Sequence, residues 1–138
     1  MKHVYYTSLA FGGDSKAGVM RAHLRTEEFL KGEEKKGLKV TILREGLYNE
    51  SWPLYLGYYS PKDDEREEII LCGEGKISWT AIKDLGLANA LVLAATSGEY
   101  EGKTLYLSAP KGNALSLKEV AECVGRERGR QVKTKVVG

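Results

Sequence analysis

The chain has 138 residues, a formal net charge of +2, and 42% hydrophobic and 29% charged residues. That length suits a single domain over 1–138 with a core of its own, and the composition excludes a disordered chain. The small net charge says little about partners, although the charges are patterned. Asp63–Glu68 is acidic, and the stretch holding Arg126, Arg128, Arg130, Lys133 and Lys135 is basic. Both read as solvated surface, because the basic stretch lacks the interleaved aromatics or known motif of a nucleic-acid patch. Cys72 and Cys123 stand far apart, which argues against a disulfide framework or zinc knuckle. They read as reduced thiols of a cytosolic protein. The N-terminus has no apolar stretch of signal-peptide length, and the longest apolar run, Ala88–Ala95 broken by Asn89, is too short to span a bilayer. His3 and His23 have no acidic or cysteine cluster at ligand spacing around them, so no metal site is expected. The expectation is a cytoplasmic chain with no nucleic-acid or membrane partner.

In chain order, Val4–Leu9 reads as a strand and residues 10–14 as a loop. Between Ser15 and Lys31 the apolar residues Val19, Met20, Leu24, Phe29 and Leu30 recur at helical intervals, and Gly32 marks the expected stop. Lys39–Leu43 is the next strand, followed by the loop Arg44–Tyr48. Trp52, Pro53, Leu54, Tyr55, Leu56, Tyr58 and Tyr59 form an aromatic cluster closed by Ser60 and Pro61. After the acidic stretch come a strand at Ile69–Cys72, an alanine- and leucine-rich helix at Ala81–Ala95 and a strand at Lys103–Leu107. Ser116 and Glu119 form a capping box, each side chain satisfying a free backbone N–H at the start of a helix that runs to about Gly125. This alternation points to an α/β layered fold.

Two patterns imitate chemistry. Gly73-Glu-Gly75 resembles half a phosphate loop but does not join a strand to a helix, so it reads as a hairpin or strand-end turn. Tyr58 and Lys62 have the Tyr-xxx-Lys spacing of short-chain dehydrogenases, which works only on one helix face, and Pro61 between them argues against that helix.

Four segments keep a common order and spacing: His3-Val-Tyr-Tyr-Thr-Ser-Leu9, His23-Leu-Arg-Thr-Glu-Glu-Phe-Leu30, Leu43-Arg-Glu-Gly-Leu-Tyr-Asn-Glu50, and Gly73-Glu-Gly-Lys-Ile77 with Asp84 and Glu101-Gly-Lys-Thr-Leu-Tyr-Leu107 after it. Together they resemble the NmrA-like family of atypical short-chain dehydrogenases/reductases, above all its quinone-reductase-like branch, over essentially the whole chain. The resemblance implies that Met1–Leu9 is the fifth strand of a Rossmann-type reductase. The chain is then the C-terminal half: a partial Rossmann-like sheet lacking its first strands, with a small C-terminal α/β substrate-side portion. It implies an oxidoreductase using NADP or NAD. Thr7, Ser8 and Leu9 would line the nicotinamide pocket, and Arg44, Gly46, Tyr48 and Asn49 would fold over nicotinamide and substrate. His23 falls where typical short-chain dehydrogenases carry their lysine, with Glu27 one turn later. Val19 stands where the tyrosine would be, and Ser51 replaces an asparagine frequent in relatives. The glycines that meet the pyrophosphate and the residue that reads the ribose have no counterpart here, so the chain is not expected to bind the cofactor alone. The strand Val4–Leu9, without its usual neighbour, would expose a sheet edge that invites a homo-oligomer or partner chain.

The implied substrate is quinone-like, or another small secondary-metabolite-like molecule. Hydride transfer to a quinone leaves a stabilised phenolate, so a strong positioned acid matters less than for a simple ketone. His23 would supply the proton as the general acid, and Tyr48 would hydrogen-bond a developing oxyanion. Each has a structural alternative: His23 as an ordinary helix-face residue, Arg44 as the ion-pair partner of Glu45 or Glu50, and Tyr48 as core. Trp52, Tyr55 and Tyr58 read as packing or a partner surface rather than a stacking platform. Two further functions stay open, a cofactor-free isomerase using His23 or Asp84 and a non-catalytic regulatory or binding module.

Overall fold

The computed structural model describes residues 3–10, 15–60, 62–96 and 98–137. The expected loop at 11–14 and Pro61 lie outside the described residues. The chain forms two compact units, Met1–Leu47 with Ile82–Ser108 and Tyr48–Ala81 with Ala109–Gly138.

The first unit is an α/β layer structure. Its strands β1 (His3–Leu9), β2 (Lys39–Glu45) and β5 (Thr104–Leu107) form a parallel sheet in the order β1-β2-β5. The middle strand is covered on both faces: Val40, Thr41, Ile42 and Leu43 are all buried, as expected for a parallel strand with helices on either side. The register aligns Leu9, Glu45 and Leu107, so the three strands end together. β1 pairs with β2 alone among the described residues, so it is an edge of this sheet.

Side chains alternate across a strand, so Tyr6, Ser8, Ile42, Arg44 and Tyr106 share one face. Helix α1 (Gly18–Glu34) covers that face through buried Met20 and Glu27. Its apolar residues Val19 and Phe29 are 60% and 65% exposed. The inward stripe runs through Met20, His23, Leu24 and Glu27 at intervals of three and four, with a carboxylate at its centre. The helix also passes through Gly32, where an interior glycine costs only about 1 kcal/mol. On the other face of the sheet, Asn89 of α3 (Ile82–Ala94) donates to Glu45 Oε1 at 2.7 Å.

The second unit holds the short helix α2 (Trp52–Tyr55), the parallel pair β3 (Glu68–Leu71) and β7 (Lys133–Val136), and the antiparallel pair β4 (Lys76–Ile77) and β6 (Leu115–Ser116). Helix α4 (Leu117–Glu127) packs over β3 and β7. Its core is Leu56, Tyr58, Ile69, Leu71, Ala121 and Val132, with Trp52, Leu117, Val120 and Val124 packed against it. The Gly73–Gly75 turn therefore links strands of two different sheets and is not a hairpin between paired strands. Tyr58 lies beyond α2 in non-helical backbone, so Tyr58 and Lys62 share no helix face.

The capping box forms as the sequence predicts: Ser116 Oγ accepts from Glu119 N at 3.2 Å, and Glu119 Oε2 accepts from Ser116 N at 2.7 Å. The helix then ends on Gly129, whose φ of 65° lies in the left-handed region that glycine tolerates best. One turn earlier, a Cβ on Gly125 would sit 2.7 Å from the carbonyl oxygen of Arg130. Only glycine lets the returning chain lie that close as it enters β7. Among the described residues, no helix is long and apolar enough to cross a membrane.

Candidate functional site

At the ends of the three parallel strands, a polar network fills the space between the sheet and α1. Ser8, 2% exposed, donates its hydroxyl to Glu27 Oε1 at 2.6 Å. Arg44 grips the same carboxylate with two hydrogen bonds, Nε to Oε1 at 3.0 Å and Nη2 to Oε2 at 2.6 Å. Its remaining Nη1 donates to Tyr106 Oη at 2.6 Å. The chain Ser8–Glu27–Arg44–Tyr106 thus crosses from β1 through α1 and β2 to β5. A two-point grip of this kind is the strong geometry for an arginine and a carboxylate. Burial pushes Glu27 upward, but the hydrogen bonds from Arg44 and Ser8 outweigh it and hold its carboxyl below the ordinary glutamate range. The Glu27 hydrogen bond in turn raises Arg44, against the opposing effect of burial. Both groups stay charged.

One helical turn before Glu27, His23 meets β1. Its Nδ1 lies 2.8 Å from Tyr6 Oη, and the two rings are 5.7 Å apart. With the phenol as donor, the neutral imidazole carries its proton on Nε2.

The structure sorts the predicted residues into two groups. Thr7, Ser8, Leu9, His23, Arg44 and Gly46 belong to the first unit and Tyr48 and Asn49 to the second. Thr7 is exposed and alternates with Ser8 to the opposite face of the sheet. Leu9 is half-buried at the strand end. Gly46 is buried and donates its N–H to Leu107 O at 2.9 Å, continuing the ladder past β2. Arg44 does form an ion pair, with Glu27 rather than Glu45 or Glu50. Asp84 is exposed in the first turn of α3, where a negative charge favours the helix dipole.

In the second unit, Tyr48 is 36% exposed and bridges to Thr80, whose carbonyl accepts from Asn49 N at 2.9 Å. Asn49 also lines a cavity of about 410 Å³ with Trp52, Trp79, Leu115, Val120 and Val124. Trp79 is fixed there by Nε1 donation to Leu115 O at 3.2 Å and by edge contact with Tyr55 at 5.5 Å. Tyr58 is packing: its ring is buried between the guanidinium groups of Arg66 and Arg128, 4.9 Å and 4.7 Å from its centre. Sequence reasoning missed Tyr6, Tyr106 and the central place of Glu27. The signal was the alternation Tyr6, Ser8 on β1, which puts both on the face that α1 must cover.

Parallel strands ending in register, with helices on both faces and polar groups gathered at the carboxyl ends, define a Rossmann-like α/β chain. No protein-family model matches it. It is 36% identical over 140 residues to the NmrA-like family domain-containing oxidoreductase flvB of Aspergillus flavus, a match covering 99% of this chain and 42% of that protein. Among solved structures it resembles isoflavone reductase, with a TM-score of 0.72 at 20% identity over 99% of this chain and 45% of that one. A mutant NmrA gives 0.68 at 21% identity, over 99% and 43%. A UDP-glucuronic acid 4-epimerase from Bacillus cereus, solved with UDP-glucuronic acid and NAD, gives 0.75 at 13% identity, over 98% and 48%. Over nearly its whole length the chain is similar to a protein of the NmrA-like family. It spans less than half the length of its curated relative, an extent that fits the C-terminal half of the fold.

Proposed function

We propose that this chain supplies the substrate-side half of an NAD(P)H-dependent oxidoreductase acting on a quinone-like or other small secondary-metabolite-like substrate. The observation that carries the reading is the gathering of Thr7, Leu9, Gly46 and the Glu27–Arg44 pair at the carboxyl ends of β1, β2 and β5. Open α/β sheets bind ligands at such strand ends.

The residues fit the nicotinamide end of a dinucleotide. Exposed Thr7 and half-buried Leu9 offer a wall for the ring at the strand ends. When bound, the nicotinamide would supply the hydride. The chain's own residues would do the rest. Ser8 and Arg44, tied to Glu27, would hold the strand ends in place rather than touch a ligand. His23, with Nδ1 accepting from Tyr6, would give its Nε2 proton to the oxygen that gains charge while Nδ1 takes the phenolic proton of Tyr6, so the ring stays neutral and the tyrosinate is reprotonated from water. The reading assigns no step to Tyr48 or Asn49, which belong to the second unit.

The test is consumption of NADPH or NADH, with a series of benzoquinones and naphthoquinones, by the chain supplied with the dinucleotide-binding half of an NmrA-like reductase. Turnover should fall about 100-fold in His23→Ala, within the range typical of a lost general acid. No consumption of either nucleotide with any quinone would refute the reading for this chain.

A further inference from the structure

The second unit carries a feature that the reductase reading does not use. An open groove of about 1080 Å³ runs along β7 and is walled by Lys118 and Arg126 of α4 and by Lys133, Thr134 and Lys135 of the strand. Glu68 and Glu122 are the acids on its walls. Among the described residues, none of Lys118, Arg126, Lys133 and Lys135 forms an ion pair. Arg130, also on the wall, holds the carbonyl of Asp64 through Nη2, and its Nε is buried with no hydrogen-bond partner.

The backbone beside these cations is also open. Among the described residues, β7 pairs with β3 on one side and with no strand on the other. Lys133 N donates to Glu67 O at 2.7 Å and Val137 N to Leu71 O at 2.9 Å, so the odd-numbered residues serve that ladder. By the alternation of a parallel strand, Thr134 and Val136 turn their N–H groups toward the free edge. Their side chains share the α4 face with Ile69 and Leu71, while Lys133 and Lys135 share the outer face with Glu68 and Ile70.

We propose that the free edge of β7 binds an extended acidic peptide segment by strand addition. The added strand would accept and donate backbone hydrogen bonds along Thr134–Val136. Carboxylates at alternate positions would lie beside Lys133 and Lys135, the spacing at which cross-strand side chains meet. Side chains of the other face would lie toward Lys118 and Arg126. A two-residue alternation of acids on the partner is therefore the recognition rule, and charge complementarity selects it over a basic or neutral strand.

The probe is a labelled peptide with glutamate alternating with valine, measured by fluorescence anisotropy against the full chain. A lysine–valine peptide and a peptide of equal composition with its glutamates adjacent serve as controls. The alternating acidic peptide should bind, and each control should bind at least tenfold more weakly. K133Q with K135Q should weaken binding severalfold, with the thermal melt little changed because both side chains are exposed and no like-charge pair with Glu68 is created. Thr134→Pro removes an outward N–H while leaving the β3 ladder intact, and should weaken binding severalfold. Val136→Pro serves the same purpose if the first variant melts early. Binding that survives both proline variants, or a DNA oligonucleotide that competes as well as the peptide, would overturn strand addition in favour of a general anion surface. No binding of the alternating peptide would overturn the proposal outright.

Discussion

Glu27→Ala is the sharpest perturbation of the fold. The Glu27 side chain is 4% exposed and the Arg44 side chain 15%, and the pair makes two direct bonds. Removing the carboxylate leaves a largely buried guanidinium with Tyr106 as its remaining hydrogen-bond partner among the described residues and strips Ser8 of its acceptor. Breaking one side of a buried pair costs roughly 3–5 kcal/mol, and the orphaned hydroxyl adds about 1 kcal/mol. Total stability of a chain this size is on the order of 5–15 kcal/mol, so the variant should sit near the edge of folding. Urea unfolding followed by circular dichroism measures the shift in midpoint. Replacing both partners, Glu27→Met with Arg44→Leu, should recover most of the loss, because no unpaired charge remains. The acid limb gives an independent check. Glu27 is held below its ordinary value of 4.5 in the folded chain. Its contribution is therefore full above that value and is lost as pH falls through the lower, folded value. Glu27→Gln should lose that part of the pH dependence and start from lower stability at neutral pH. A midpoint shift in Glu27→Ala worth less than about 1 kcal/mol would refute the account of a buried, coupled pair.

Two further outcomes are expected. Gly125→Ala should destabilise by roughly 1–3 kcal/mol in urea, although alanine is the better helix former, because the added methyl meets Arg130 O at 2.7 Å; a neutral or stabilised variant would mean that the turn into β7 is looser than described. Tyr6→Phe should leave the fold intact and shift the nitrogen resonances of neutral His23 toward a mixture of tautomers, since the group facing Nδ1 is gone; unchanged nitrogen shifts would mean that Tyr6 does not set the proton's position.

The strands β2 and β5, the helix α3 and the cap of α4 were legible because each has a strong local signature. Lys39–Leu43 is a β-branched run, and Ser116 with Glu119 is a reciprocal pair three residues apart. β7 was not legible: Lys133-Thr-Lys-Val136 reads as a charged tail, and its strand character comes from pairing with β3 and from Val132 entering the core. The inward face of α1 was not legible either, for a related reason. Val19 and Phe29 advertise a hydrophobic face, but the sheet surface they would have to meet carries Ser8 and Arg44, so the helix presents Glu27 instead. The partner of Arg44 was sought among its sequence neighbours, Glu45 and Glu50. A strand's neighbours along the chain point to the other face or lie beyond its end, whereas a crossover helix brings a residue seventeen positions earlier directly above it. Tyr6 was marked only by its alternation with Ser8, and Tyr106 gave no signal, since its role exists only once three strands are in register.

The network also explains how an edge strand can carry a precise site. β1 has one neighbour, so its ladder alone would leave it free to twist and slip. Ser8 ties its end to α1 through Glu27, and Arg44 ties that same carboxylate to the middle strand. Because residues four apart share a helix face, fixing Glu27 also fixes the rotation of α1 about its axis at His23. The imidazole is then brought against Tyr6 without any contact of its own to the ion pair. The buried charge thus acts on the proposed proton donor through the helix: loosening Glu27 should release the orientation of His23 even where His23 and Tyr6 are untouched.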